Sequence, residues 1–180
     1  MNVTPASLEA EWMGNLQRLK RRTVRDLTGV VLRELAAGPD EAAYGLLGLK
    51  PHQLIKRKDF ERHYGPMLAF VWRQAVLATH PAHAERFAAT LERSAAELPG
   101  MNSRRLGTFF NDLDFLKVIT DNFAEDGFIS AALHVVQRVH GEIEQRPENL
   151  ESAVGLGLWM DERFQSYRDT LVLAEIVITG

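Results

Sequence analysis

The sequence predicts an all-α protein, and three observations predict it. Apolar residues recur at threes and fours through most of the 180 residues, the period of helices that bury one face. No segment alternates apolar and polar residues over a strand's length, and no Asn-Gly or Asp-Gly joins two such runs. The pairs Gly38-Pro39, Gly65-Pro66, His80-Pro81 and Pro99-Gly100 punctuate the pattern at helical lengths, so seven to eight helices are expected in one compact helical-bundle domain covering 1–180. A hydrophobic content of 46% suffices for a continuous core.

The first helix starts at Leu8 with Ser7 as N-cap, because Trp12, Leu16, Leu19, Val24, Leu27, Val31 and Leu35 follow at threes, fours and one five. It makes 1–37 a long N-terminal extension, stopped by Gly38-Pro39. Asp40 caps a short segment, EAAYGLLGL, which Lys50-Pro51 interrupts. A third helix runs from about His52 to Tyr64 and ends at Gly65-Pro66, and the strongly apolar MLAFVWRQAVLA places the next, Pro66 to Thr79, deep in the core. After the His80-Pro81 corner, Ala82 to Leu98 turns Phe87, Leu91, Ala95 and Leu98 inward. Ser103 opens a helix with Leu106, Phe110, Leu113, Leu116 and Phe123 on one side. Beyond Gly127 the residues Ile129, Leu133, Val136, His140 and Ile143 share a face. Pro147 precedes the last helix, whose inward set is read as Leu150, Val154, Leu158, Phe164, Tyr167 and Leu171. Its end, Leu171 to Ile178, is β-branched and suits a strand as well as a helix.

The chain has no cysteine, which excludes a disulfide framework, thiolate zinc sites, cysteine-ligated iron–sulfur clusters and a cysteine nucleophile together. The N-terminal MNVTPASLEAEWM lacks a basic region followed by an apolar core, and no apolar run approaches the roughly 18 residues of a membrane span. A cytoplasmic protein with no membrane partner is expected. Net charge is −3, yet residues 1–73 hold 12 Lys/Arg against 8 Asp/Glu while 74–180 hold 9 against 16. Such a division marks either a basic docking surface on an acidic body or ordinary solvated helix faces.

No catalytic residue emerges. No GxSxG surrounds a serine, no Gly-rich loop follows a strand, and no GKS or GKT is present for phosphate, so an enzyme is not expected. His80, His83 and Glu85 in HPAHAE form the densest group of metal-ligand types, but nothing at HExxH or ExxH spacing completes a set, and neither a metal nor a cofactor is assigned. His140, on the apolar face between Val136 and Ile143, is the one candidate buried functional histidine. There a neutral imidazole either serves a cofactor or a pH response, or hydrogen-bonds a carbonyl. His134, two positions from Val136, reads as surface.

Two basic clusters stand out: Arg18, Lys20, Arg21, Arg22 and Arg25, then Lys50, Lys56, Arg57, Lys58 and Arg62. The segment holding the Lys50 to Arg62 cluster resembles a helix-turn-helix, with Leu46-Leu47-Gly48 ending one helix and His52 to Tyr64 as recognition helix. Tyr44 stands where that motif wants a small residue, and Asp59 and Glu61 meet phosphate repulsively. The candidate nucleic-acid contacts are Lys50, Lys56, Arg57, Lys58, Arg62, Arg18, Arg21 and Arg22.

Taken together, Leu54 to Leu133 resembles the globin fold. FVWRQAVLATHPAHAERF is similar to the globin pattern in which aromatic residues precede a proline corner and a core phenylalanine, here Phe70, Trp72, Pro81 and Phe87. LGTFFNDLDFLKVITDNFAEDGFISAAL is similar to the region of the haem-binding helix, with Leu106-Gly107 at its start and Phe123 four residues before Gly127. The N-terminal extension resembles that of sensor globins, which dimerise through a helical face. At the position of the proximal histidine, however, stands Leu113, flanked by Asp112 and Asp114. Imidazole is what holds the iron in that family, so the resemblance implies a non-haem globin-like module, similar to the sensory domains of stress-response regulators.

The expected function is a non-catalytic regulatory or protein-interaction domain, a homodimer formed through the amphipathic first and last helices. The alternatives are a helix-turn-helix nucleic-acid-binding regulator, and a haem or metal-binding protein in which His63 or His83 substitutes as ligand.

Overall fold

The computed structural model describes residues 21–122, 127–141 and 147–176. Within them lie seven α-helices: α1 (Val24–Ala37), α2 (Glu41–Leu46), α3 (Leu54–Thr79), α4 (Ala84–Ala95), α5 (Ser103–Asn122), α6 (Gly127–His140) and α7 (Pro147–Val172). A 3-10 turn, Pro81–His83, makes the corner between α3 and α4. The protein is all-α, the one sheet among the described residues being the two-residue strands β1 (Arg21–Arg22) and β2 (Glu175–Ile176), paired in parallel.

α1 starts later than its apolar stripe suggests. Arg21–Arg22 are extended, and Thr23 caps the helix: its hydroxyl accepts from Asp26 N at 3.1 Å while the Asp26 carboxylate accepts from Thr23 N at 3.0 Å. This reciprocal box satisfies two donors that a continuing helix would satisfy otherwise. The 1–37 extension helix is corrected accordingly, and its break falls at the step of five between Leu19 and Val24. Leu8 to Leu19, with Arg18, lie outside the described residues. At the other end the ambiguous tail divides, α7 reaching Val172 and Glu175–Ile176 forming β2.

The predicted break at Gly65-Pro66 does not occur, since α3 runs through both as a single 26-residue helix. Pro66 has no N–H for the Arg62 carbonyl, but Arg62 is exposed, so water can serve it. Gly65 is needed for a neighbour. A Cβ there would stand 3.0 Å from the Phe109 ring of α5.

α3 is the hub of the molecule, packing on α1, α4, α5, α6 and α7. Its residues Pro66 to Trp72 are buried without interruption, as a helix enclosed on all sides requires. From α4, Phe87, Leu91 and Ala95 turn inward, and from α5, Phe109, Leu113 and Leu116. α6 contributes Ala131, Ala132, Val135, Val136 and Val139, a face rotated from the predicted one and leaving Ile129 exposed. The first half of α7 is rotated likewise, whereas Tyr167 and Leu171 are buried as predicted. Asn149, Ala153, Leu156, Met160, Tyr167 and Leu171 are buried, whereas Leu150, Val154 and Leu158 are 54%, 47% and 61% exposed.

Candidate functional site

Between α3, α4 and α5 lies a pocket of about 240 Å³, open to solvent on one side. The sequence builds it from a contrast in size. Trp72 and Val76 from α3, Phe87 and Leu91 from α4, and Phe110 and Leu113 from α5 form apolar walls, while the alanines Ala69, Ala84 and Ala88 leave the space between them. Trp72 is fixed by edge-to-face contacts with Phe87 and Tyr167, ring centroids 5.9 and 5.3 Å apart. Its indole N–H is buried and finds no acceptor among the described residues. Arg73, Glu92, Asp114 and Lys117 complete the lining, with Lys117 held 2.5 Å from Asp114. Leu113, at the position where the globin resemblance calls for an iron ligand, is thus part of a hydrocarbon wall.

One residue earlier, Asp112 turns away to a polar seam that the sequence pattern did not reveal. His63 of α3 places Nδ1 3.0 Å from Asp112 Oδ2, and His134 of α6 stacks on Phe115 with ring centroids 4.5 Å apart. Burial lowers the His63 pKa, against the opposing pull of Asp112. Burial, followed by the charges of Arg138 and His63, lowers that of His134 to about 4. Both imidazoles are therefore neutral at pH 7. His134 is half-buried rather than the surface residue expected.

The candidate functional histidine, His140, joins helices. Its Nε2 lies 3.0 Å from the Leu47 carbonyl, which can only accept, and its Nδ1 lies 3.4 Å from Lys56 Nζ. These contacts tie the end of α6 to the turn after α2. His80 makes a similar link, Nε2 to the Leu171 carbonyl at 3.0 Å. Among the described residues no three His, Asp or Glu side chains converge as a metal's ligand set.

The helix-turn-helix candidates are largely engaged within the fold. Arg57 pairs with Glu41 and stacks 3.7 Å over the Tyr44 ring, whose hydroxyl donates to Glu61 at 2.8 Å. Arg62 pairs with Asp59 at 3.2 Å, and Lys56 approaches His140. Lys50 and Lys58 are exposed, as are Arg21 and Arg22, and Arg21 lies 3.9 Å from Glu175. Tyr44, awkward for a DNA-binding turn, is a core residue packed edge-on against Phe60. The structure therefore brings Arg57 and Arg62 to carboxylates.

The remaining feature is the outward side of α7. Leu150, Val154 and Leu158, spaced four apart, form a solvent-facing ridge on a helix whose opposite side is core. No described helix is long and apolar enough to cross a membrane. The chain matches no protein-family model, no curated protein and no solved structure.

Proposed function

We propose that the chain is a non-catalytic regulatory domain, a non-haem globin-like module that pairs with a second copy of itself through the outward side of α7. The observation that carries this reading is the ridge of Leu150, Val154 and Leu158. Ridges of residues four apart interdigitate with the same ridge of a facing helix, and a two-fold axis makes such a patch its own complement. Burying the exposed half of each of these side chains contributes about half of the roughly 1.5–3 kcal/mol of full burial. The globin-like part is supported by the convergence around one pocket of Trp72 and Phe87, on which the resemblance rests, with Leu113, where it lacks the iron ligand. The engagement of Arg57 and Arg62 by carboxylates favours this reading over nucleic-acid binding.

Sedimentation velocity tests the proposal. The native chain should shift from monomer to dimer with rising concentration, and the double variant Val154→Glu, Leu158→Glu should stay monomeric with its helical circular dichroism intact. A native chain that is monomeric at the highest attainable concentration overturns it, as does a double variant that dimerises equally well.

A further inference from the structure

The geometry points to the first turn of α3 as a docking tip for an anionic lipid surface, with Leu54 and Ile55 entering the apolar edge of the bilayer while Lys50 and Lys58 meet the headgroups. Ile55 is 79% exposed, the highest value for any large apolar side chain among the described residues, and its neighbour Leu54 is 67% exposed. Both precede Phe60, the first residue of α3 to be buried, so this turn stands clear of the core. It is nevertheless held in place. Arg57, one turn on from Leu54, pairs with Glu41 and stacks over the Tyr44 ring. A tip already fixed in one conformation loses little entropy on docking.

Charge and shape select the occupant. Lys50 and Lys58 lie on either side of the apolar pair along the chain, are exposed, and make no ion pair among the described residues. The first turn holds no acidic residue, and the next carboxylates, Asp59 and Glu61, are engaged by Arg62 and by the Tyr44 hydroxyl. Two unmatched cations favour an anionic partner. Nucleic acid would satisfy the lysines but set Leu54 and Ile55 against phosphate. A partner helix is met by residues three or four apart in a stripe, whereas adjacent residues point about 100° apart around the axis. A lipid interface has no fixed shape to match and places anionic headgroups over an apolar layer. Surface docking needs no spanning helix, and none is present among the described residues. The expectation of no membrane partner rests on that missing span and does not reach a docked surface.

The test is cosedimentation of the full chain with large vesicles of phosphatidylcholine, alone or in equal parts with phosphatidylserine. The chain should pellet with the mixed vesicles at low salt, be released from them by high salt, and stay in solution beside the neutral ones. Lys50→Gln, Lys58→Gln should weaken binding about 25-fold, at about fivefold for each lysine near an anionic surface. Leu54→Gln, Ile55→Gln should weaken it at least about tenfold. Both double variants change exposed positions and should keep the native circular dichroism. Because the chain lacks cysteine, a polarity-sensitive fluorophore on Ile55→Cys reports the tip alone. It should shift to the blue on mixed vesicles, and one on Ala82→Cys, at the corner beyond the far end of α3, should not. Absence of binding to the mixed vesicles overturns the proposal and turns the search to an acidic protein. Equal binding to neutral vesicles, undiminished binding by either double variant, tighter binding to duplex DNA, or a blue shift at Ala82→Cys in place of Ile55→Cys overturns it as well. The proposal does not depend on pairing through α7, which sedimentation velocity without vesicles reports separately.

Discussion

His134 and His63 give the fold a pH dependence whose sign follows from their surroundings. In the unfolded chain an imidazole takes up its proton near pH 6.5, whereas in the fold His134 does so only at about 4. Between those values the unfolded state binds more protons, so stability should fall as pH drops from about 6.5 toward 4, and His63 shifts the same way. Asp112 and, more weakly, Asp59 oppose the shift at His63, while Arg138 adds to it at both rings. Urea unfolding at pH 7.5 and 4.5 should show the loss, and His134→Gln should reduce it; an unchanged loss in that variant would remove His134 as a source. Two glycines of α7 make a further test at this scale. A Cβ at Gly157 would lie 3.3 Å from the Ile129 Cα, backbone that moves only with α6, whereas at Gly155 the nearest atom is Leu46 Cδ2 at 3.8 Å. Gly155→Ala should therefore stabilise by up to about 1 kcal/mol through helix propensity. Gly157→Ala should destabilise by about 1 kcal/mol as overpacking outweighs the same gain. Thermal unfolding of the pair should give opposite signs. Little of this was legible in the sequence, because His134 sits two residues from Val136 and stands apart from the core until α6 is seen to bury Ala131, Val135 and Val139 instead.

At the scale of elements, the ends of helices were easier to read than their faces. Asp40 does cap α2, accepting from Ala43 N at 2.8 Å, and the proline corner after His80 stands where expected because both depend on local chemistry. Gly65-Pro66 misled for the opposite reason: whether that pair breaks a helix depends on Phe109, which packs against Gly65 from 44 positions away along the chain. The inward side of α7 is legible at Tyr167 and Leu171 but not in its first half, where Leu150, Val154 and Leu158 are more apolar than Ala153 and Gly157, the small residues that let neighbours close in. At the start of α1 the cap outranks the stripe. Thr23→Ala removes the hydroxyl that serves Asp26 N and should destabilise by about 1 kcal/mol, measurable as a lower urea midpoint with an unchanged slope. Asp26 has its pKa lowered chiefly by its hydrogen bond from the Thr23 backbone. A Thr23→Ala effect indistinguishable from zero would show that packing alone sets where α1 begins.

For the whole molecule, α3 accounts for both the core and the cavity, since one enclosed helix supplies Phe70 and Met67 to the centre and Trp72 and Val76 to the wall. The all-α class was legible from periodicity; the cavity was not, because it arises where alanines of α3 and α4 come to lie opposite one another beside α5. α1 and α7 are joined by an Arg163–Glu34 bridge of 3.4 Å, and the flanking strands by the register Arg21 to Glu175 and Arg22 to Ile176. That register has a mechanical consequence. Tension applied before Arg21 and beyond Ile176 runs along two parallel strands in opposite directions, so their ladder is loaded in shear, its bonds sharing the force instead of unzipping one at a time. With only two residues on each side, the clasp should yield as one small step before the helices part, making it a tension fuse between the two ends of the fold.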